Sequence, residues 1–181
     1  MKIVAIALET QSLSAWRHGT SREVARTGHW RASVARIDEP GAFTAFPGMR
    51  RQIALLDGGP LTLDWVEHSL VVEPRLTAKA FEGDPPPIAA DDIPCTVFNL
   101  IYRQVEAKLL PRPLVGAMVL FNEPAVDWLV YLHSGEATLR WGENNLWLGS
   151  QHAALIEGDH SGGRAVLDGG GEVVLCRLGR A

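Results

Sequence analysis

Two stretches of the sequence resemble each other position by position at one constant offset. They are residues 53–65 and 129–141, and they match Gly59 with Gly135, Thr62 with Thr138, Leu63 with Leu139 and Trp65 with Trp141. After a one-residue slip, residues 81–84 match residues 156–159. A long period that occurs twice indicates two copies of one β unit, because a solenoid requires more and shorter repeats. We therefore expect Gly59 and Gly135 to occupy equivalent hairpin positions, and Trp65 and Trp141 equivalent strand positions.

Short strands dominate the rest of the pattern. Residues 30–37 have the composition of a half-buried strand with rough alternation. Further short runs bounded by Gly, Pro or polar residues lie at 53–56, 61–66, 70–73, 76–81, 128–132, 137–141, 146–148, 153–156 and 173–178. One weak signal predicts a single helical turn over residues 21–26, capped by Thr20 or Ser21. Many short strands at close spacing predict a sandwich or barrel architecture.

Three segments are predicted to be loops or turns. Residues 84–94 are rich in proline, which lacks the donor that a central strand needs, so we expect this segment to pass between the two units. The glycine-rich residues 161–163 and 169–171 predict turns or flexible tips in the second unit. The domain organisation predicted from these signals is a first half at 1–95 and a second half at 96–181, packed as one compact unit.

Charge and composition exclude several classes of protein. The 181 residues carry a net charge of -4, which disfavours a nucleic-acid partner because phosphate binding requires a basic surface. No apolar run approaches the ~20 residues of a membrane-spanning helix, so no membrane partner is expected. The short apolar start is followed by Glu9 and reads as a first strand rather than a signal peptide. Cys95 and Cys176 are too few for a disulfide framework and are predicted to be free, buried thiols in a reducing cytoplasm.

The usual catalytic patterns are missing. A β-barrel with a repeated glycine-bounded hairpin suggests a cupin, and many cupins hold a metal through clustered histidines and a glutamate. The six histidines here form no His-X-His pair, whereas a catalytic zinc or iron site needs three ligands, so we expect no metal and no cofactor. The sequence also lacks a Gly-X-Ser-X-Gly elbow and a phosphate-binding loop, and we assign no catalytic residue.

Arginine recurs beside aromatic and hydroxyl residues in the first half. A guanidinium recognises carboxylates through two parallel hydrogen bonds, and Asn, Ser and Thr fix orientation. If these segments converge at one barrel mouth, they make an anion-binding pocket with a tryptophan wall; otherwise each arginine pairs with a nearby acid or faces solvent. The candidate ligand-binding residues are Trp16, Ser21, Arg22, Glu23, Trp30, Arg31, Ser33, Arg51, Asn99 and Arg103.

Six ordered motifs within residues 10–105 resemble those of the HutD/Ves family. They are Trp16, residues 21–24 (Ser-Arg-Glu-Val), residues 30–33 (Trp-Arg-Ala-Ser), residues 43–48 (Phe-Thr-Ala-Phe-Pro-Gly) with Arg51, residues 81–84 (Phe-Glu-Gly-Asp), and residues 98–100 (Phe-Asn-Leu) with Arg103. The chain departs from the family pattern in two places. The glycine run that usually follows the tryptophan is shortened to His18 and Gly19, and Val97 replaces the acid expected before Phe-Asn-Leu.

The resemblance implies an all-β double-cupin fold, a bicupin of RmlC-like jelly-roll barrels with little helix, in agreement with the internal repeat. It also implies a cytoplasmic bacterial protein without an established enzymatic activity. Some family members are linked to histidine utilisation as a regulator or sensor of a pathway intermediate, and others are linked to the stress response. Both departures from the pattern touch the expected pocket, so they bear on the identity of the ligand.

Three functions are compatible with these sequence features. The first is a non-catalytic cupin that binds a small carboxylate or an amino-acid-derived metabolite, with a homodimer allowed for. The second is a metal-free enzyme of the epimerase or isomerase kind, for which His18 with Glu23 is the only local acid and base pair. The third is a protein-interaction module that takes no small ligand.

Overall fold

The computed structural model describes residues 1–181 and consists almost entirely of β-strands. The strands, in chain order, are β1 Lys2–Ala7, β2 Leu13–Trp16, β3 Gly19–Arg26, β4 Trp30–Ile37, β5 Gly41–Ala42, β6 Arg50–Gly58, β7 Leu61–Asp64, β8 Ser69–Val72, β9 Ala78–Glu82, β10 Ile88–Ala89, β11 Cys95–Tyr102, β12 Ala107–Phe121, β13 Val126–Trp141, β14 Asn144–Gly149, β15 His152–Glu157 and β16 Arg164–Gly179. The only helical segment is a 3₁₀ turn at Leu8–Thr10. The all-β prediction is therefore confirmed. No helix is long and apolar enough to cross a membrane.

The chain divides into two units at positions that differ from the predicted boundary at residue 95. One unit is Gln11–Gln104, and the other combines Met1–Thr10 with Val105–Ala181. The boundary moves because β11 pairs with β4 and β6, which keeps Cys95–Tyr102 in the earlier unit. The first residues join the later unit because β1 pairs with β15 along its whole length. Such non-local pairing leaves no trace in local sequence.

The Gln11–Gln104 unit contains two antiparallel sheets. The first has the order β2-β3-β4-β11-β6-β9, and the second has the order β5-β10-β7-β8. Alternate residues of each strand face a common core, which has Ile53, Leu55, Leu61, Leu63 and Val97 at its centre. The proline-rich segment predicted to join the units instead lies within this one, because β10 pairs with both β5 and β7.

The unit of Met1–Thr10 and Val105–Ala181 forms one sheet with the order β1-β15-β13-β16-β12, and β14 pairs with the far end of β13. Its core is built from the inward faces of the two longest strands, with Val130, Leu132, Leu139, Leu167 and Val173 fully buried. The glycines at 169–171, predicted to form a turn, lie inside β16 opposite β13. A side chain at Gly169 or Gly171 would collide with the backbone of β13, so glycine serves close strand approach here.

The two units contain the same ladder of strands. In one unit β6 pairs with β11 and β9, and β7 pairs with β8. In the other unit the single strand β13 takes the place of β6 and β7, and it pairs with β16, β15 and β14 in the same way. A bulge falls at the same place in each ladder, at Leu56 between Leu55 and Asp57 and at His133 between Leu132 and Ser134. Since bulges change strand direction at defined positions, a shared bulge is a stringent sign of equivalence.

The shared bulge corrects one predicted pair and supports the other. Gly58, not Gly59, corresponds to Gly135: Gly58 pairs with Cys95 and Gly135 with Gly171, and both have positive φ. The prediction for Gly59 was wrong by one residue, because the turn before β7 contains one residue more. Trp65 and Trp141 do occupy equivalent positions, each closing a short hairpin, opposite His68 and Asn144 respectively.

Two further expectations about local structure are settled. The predicted helical turn at residues 21–26 is wrong, because Gly19–Arg26 is strand β3, bonded to β4 on one side and β2 on the other. The short apolar start does form a strand, β1. The longest strand missed from sequence is β12, because Pro111 and Pro113 interrupt its pattern; prolines are tolerated there because β12 lies at a sheet edge.

Candidate functional site

The Gln11–Gln104 unit encloses a cavity of about 190 Å³ at the polar end of its core. Three strands supply its charged and amide groups, because inward-facing positions change from apolar to polar along β4, β6 and β11. In β4, for example, the lining residues Ala35 and Ile37 belong to the apolar core, whereas the lining residues Arg31 and Ser33 on the same face are polar. The lining residues are Ser14, Trp16, Ser21, Arg31, Ser33, Ala35, Ile37, Phe43, Thr44, Phe46, Arg51, Asn99 and Ile101.

Arg51 is the central polar group of this cavity and is only 5% exposed. Its Nη2 donates to Asn99 Oδ1 at 3.0 Å, and its Nη1 makes a long 3.4 Å contact to the Thr44 carbonyl oxygen. The guanidinium carbon lies 4.9, 5.5 and 5.1 Å from the ring centroids of Phe43, Phe46 and Phe81. The three rings stabilise the cation by cation–π attraction and fix its position.

The charge of Arg51 has no counter-ion within the protein. No carboxylate pairs with it, and its Nε is buried without a hydrogen-bond partner. Burial, and secondarily the nearby charge of Arg31, lowers the pKa of Arg51 to about 10, so that it still carries its proton at neutral pH. A buried cation without a partner costs several kcal/mol unless an anion joins it.

Ser33 and Asn99 are cross-strand partners of each other, line the cavity together with Arg51, and are each 5% exposed. Asn99 uses its side-chain oxygen to accept from Arg51, which leaves its amide N–H groups as donors. The hydroxyl of Ser33 adds a donor that can rotate to suit a ligand. The polar side of the cavity is thus dominated by donors, which is the requirement for holding an anion.

Trp16 and Phe43 form an aromatic part of the cavity lining. The rings of Trp16 and Phe43 meet edge to face at 6.1 Å, and the rings of Trp16 and His18 meet edge to face at 5.7 Å. The His18 ring packs against the backbone of Gly41, where a Cβ would collide with it, and its Nδ1 lies 3.3 Å from Glu39. This packing holds Trp16 as a flat apolar surface beside the donors.

The structure brings six of the ten predicted residues to the cavity and leaves four outside it. The six are Trp16, Ser21, Arg31, Ser33, Arg51 and Asn99. Arg22 follows the lining residue Ser21 and Trp30 precedes the lining residue Arg31, so both side chains lie on the strand faces that point away from the cavity. Arg22 donates to the Gln11 carbonyl oxygen, and Trp30 is 3% exposed. Arg103 is exposed beyond the end of β11, and Glu23 forms an ion pair with Arg31 at 3.0 Å without lining the cavity.

Several lining residues were missed from the sequence. Phe43, Thr44 and Phe46 belong to the Phe-Thr-Ala-Phe-Pro-Gly motif, but nothing local indicated that they surround a cation. Ser14 is detectable from alternation, because it stands two positions before Trp16 on the same strand. The His18 and Glu23 pair considered for acid–base chemistry is not formed, since the carboxylate near His18 is that of Glu39.

The equivalent positions in the other unit are filled by apolar side chains. By ladder register, Trp128 corresponds to Arg51, Leu175 to Asn99 and Leu110 to Ser33. Leu175 belongs to the core of that unit, and Trp128 and Leu110 pack against it. The polar cavity is therefore a property of the Gln11–Gln104 unit. No group of three or more His, Cys, Asp or Glu side chains is placed to hold a metal ion.

The chain is similar in sequence to one protein family and to curated relatives. A model of the HutD family matches residues 9–175. Protein Ves from Escherichia fergusonii is 38% identical over 77 residues, and Protein Ves from Citrobacter koseri is 39% identical over 77 residues. The aligned part covers 38% of this chain, and the chain spans 40% of the length of these curated relatives.

Solved structures share the fold over nearly the whole chain. A conserved protein of unknown function from Pseudomonas aeruginosa PAO1 has a TM-score of 0.86 and 21% identity, covering 99% of this chain and 98% of that one. HutD from Pseudomonas fluorescens SBW25 has a TM-score of 0.81 and 23% identity, covering 99% and 100%. A bacterial pirin from Escherichia coli in complex with nickel(II) has a TM-score of 0.72 and 10% identity, covering 99% and 100%. At these identities the similarity shows the fold, which is all-β and cupin-like.

Proposed function

This chain belongs to the HutD family, and on that premise we propose that its Gln11–Gln104 unit binds a small carboxylate without transforming it. The observation that carries the proposal is the buried, uncompensated charge of Arg51. A ligand carboxylate would supply the missing counter-ion and accept from Arg51, Asn99 and Ser33, while its remaining atoms pack against Trp16. Charge-assisted hydrogen bonds of this kind are the strong ones in proteins.

The size of the cavity limits the ligand. Pockets for drug-sized molecules occupy ~300–1,000 Å³, so the cavity of about 190 Å³ suits a metabolite of a few heavy atoms. Two cations line it, Arg51 and Arg31, although Glu23 already neutralises much of the charge of Arg31. This arrangement favours a ligand whose one carboxylate lies at Arg51, with a second anionic or polar group directed to Arg31.

The fold proposal is a double cupin. The matching strand ladders, the shared bulge, and Gly58 with Gly135 support two barrel copies derived from one unit. In such a duplication one copy can retain a ligand site while the other serves as scaffold. The apolar residues Trp128 and Leu175, at the positions of Arg51 and Asn99, are consistent with a copy that serves as scaffold.

The biological role that we propose is a cytoplasmic regulator or sensor linked to histidine utilisation or to the stress response. Its support is membership of the HutD family and the identity shared with Protein Ves. A binding protein without catalytic groups suits sensing, because the ligand is released unchanged. The alignment with Protein Ves leaves more than half of that protein unmatched. The role of Protein Ves as a whole is therefore only a proposal for this chain.

Calorimetric titration tests the binding site. Small dicarboxylates and histidine-pathway acids are titrated into the natural protein, Arg51→Ala and the control Arg50→Ala. Arg50 is the adjacent arginine, is exposed and pairs with Glu82, so its loss changes the net charge equally without touching the cavity. We expect Arg51→Ala to lose about 2–5 kcal/mol of binding free energy and Arg50→Ala to lose under ~1 kcal/mol. Equal affinity in all three proteins contradicts the site, and no binding to any of them favours the interaction-module alternative.

A further inference from the structure

Glu23 lies at the rim of the cavity and is ion-paired with one of the two arginines that line it. It stands two positions after the lining residue Ser21 on β3 and pairs across the sheet with the lining residue Ser33, so its side chain is on the cavity face of the strand. Its Oε2 is 3.0 Å from Arg31 Nε, and its Oε1 is 3.4 Å from Arg26 Nε. One carboxylate thus serves two arginines that are direct cross-strand partners.

The ion pair balances the charge of Arg31 but leaves its hydrogen-bond donors open. Arg31 Nε is buried and makes no hydrogen bond, which means that the nearby Glu23 oxygen is not aligned with the N–H. The side chains of Arg31 and Glu23 are 34% and 30% exposed, so the pair is partly withdrawn from water. Arg31 can therefore donate to a ligand in the cavity without offering it a net charge.

The charges around the cavity add up to one cation rather than two. Arg51 is buried without a counter-ion, whereas Arg31 and Glu23 are neutral as a pair. Arg26 is 71% exposed and does not line the cavity, so water and salt screen its charge. One ligand carboxylate at Arg51 neutralises the site. A second carboxylate at Arg31 would bring excess negative charge beside Glu23, and like charges brought together in a binding site cost affinity.

We infer that Glu23 determines the charge of the ligand's second group, so that the site selects one carboxylate plus one neutral hydrogen-bond acceptor, such as an amide carbonyl, over a dicarboxylate. This inference rests on the proposed binding of a carboxylate at Arg51 and narrows the class of ligand. The neutral acceptor receives its hydrogen bond from Arg31. Glu23 acts on the ligand through Arg31 and is in that sense a positioning residue.

A purely structural role for Glu23 makes a different prediction. Arg26 and Arg31 stand directly opposite each other on β3 and β4, and like charges in that arrangement destabilise a sheet unless an acid separates them. If Glu23 did no more than separate these two arginines, its loss would change the stability of the protein and leave the choice between ligands unchanged.

Succinate and succinamate form a matched pair of probes, because they have the same shape and differ only in the replacement of one carboxylate by an amide. Each is titrated calorimetrically into the natural protein and its variants, and the ratio of the two affinities is compared. In the natural protein we expect succinamate to bind about tenfold more tightly. Glu23→Gln keeps the size of the side chain and removes its charge, so the ratio should fall to about one or reverse.

Two further variants show whether Glu23 acts through Arg31. Arg31→Gln keeps an N–H donor and leaves Glu23 unbalanced, so the preference for succinamate should rise. Glu23→Gln combined with Arg31→Gln restores a neutral pair and should return to the ratio of the natural protein. The control is Glu82→Gln on β9 of the same sheet, where Glu82 pairs with Arg50 at 3.3 Å outside the cavity. It removes the same charge and should leave the ratio unchanged.

The outcomes separate this inference from the proposed function on which it rests. An unchanged ratio in Glu23→Gln, an equal change in Glu82→Gln, or a natural protein that prefers succinate would overturn the inference and leave carboxylate binding at Arg51 in place. If neither probe binds, or both bind equally well to Arg51→Ala, the proposed function fails and the inference fails with it. Circular dichroism checks folding, and if Glu23→Gln does not fold, the opposite shift expected of Arg31→Gln decides the question.

Discussion

Arg51 and Trp128 occupy the same position in two copies of one strand ladder. Arg51 pairs with Phe81 and Ile101, and Trp128 pairs with Ile156 and Arg177. One copy thus holds a cation where the other holds an indole ring that packs on its core. Burying the cation costs stability that the indole does not cost, which is the usual sign that a residue is kept for function.

Replacing Arg51 by methionine should therefore stabilise the ligand-free protein. Removal of an unpaired buried charge in favour of an apolar chain of similar length should raise the free energy of unfolding by about 1 kcal/mol or more. Urea denaturation with and without a bound dicarboxylate measures this, and the ligand should stabilise only the natural protein. The control Arg50→Met should change little, and a less stable Arg51→Met would show that the contacts of Arg51 outweigh its burial.

Asn99→Leu introduces the residue found at the equivalent position of the other unit. It removes the acceptor of Arg51 Nη2, so we expect a loss of about 1–3 kcal/mol in unfolding free energy. In the double variant Arg51→Met with Asn99→Leu the loss should largely disappear, because no buried donor is left unpaired. A double-mutant cycle by urea denaturation measures this coupling, and strictly additive effects would contradict it.

Ligand affinity should be constant near neutral pH and fall as the pH rises through about 10. The lowered pKa of Arg51 sets this limit, because the carboxylate binds the protonated guanidinium and binding raises that pKa. In the ligand-free protein, the free energy of unfolding should change with pH in the opposite direction. The pKa of Arg51 is lower in the folded state than in the unfolded state, so its burial destabilises the protein below about pH 10 and this penalty is relieved above that pH. Calorimetry across a pH series checks the affinity; a loss between pH 6 and 7 would instead implicate a histidine.

Gly58→Ala and Gly135→Ala should destabilise the protein more than Gly48→Ala. All three glycines have positive φ, which costs an alanine ~1 kcal/mol. At Gly58 and Gly135 a Cβ would also collide with the carbonyl oxygens of Pro94 and Gly170, whereas nothing lies near Gly48. At the two crowded positions we expect the free energy of unfolding to fall by about 2 kcal/mol or more, as measured by chemical denaturation. Equal effects at all three would show that the collisions relax freely.

Neither cysteine should react with a thiol reagent in the native protein at pH 8. Both are free and buried, as predicted from sequence. Burial, reinforced by the charge of Asp91, raises the pKa of Cys95 to about 11, and burial also raises the pKa of Cys176. Because the thiolate is the reactive form, both should label only after unfolding in urea. Rapid labelling of Cys95 in the folded state would indicate local opening of β11.

The sequence by itself determined the repeated β unit and the half of the chain that carries the cavity. The strand Trp30–Ile37 and the Trp65 and Trp141 pair follow from patterns within a few residues, since alternation and turn residues are local signals. Arg51 and Asn99 are candidates from the sequence because they lie in segments where arginine and amide groups occur beside aromatic residues, although the sequence pattern predicts no strand over Cys95–Tyr102. Membership of the HutD family is carried by ordered motifs, and the family match extends over residues 9–175.

The tertiary structure alone decided which face each strand turns to the cavity and which segments pair. A shift of one residue reverses every side chain of a strand, which is why Arg22 and Trp30 lie outside while Ser21 and Arg31 line the site. The same one-residue ambiguity put Gly59 in the place of Gly58. The pairing of β1 with β15 joins residues more than a hundred positions apart, and the unpaired charge of Arg51 arises only when three rings and four strands enclose it. Such contacts depend on long-range register, and no local pattern encodes them.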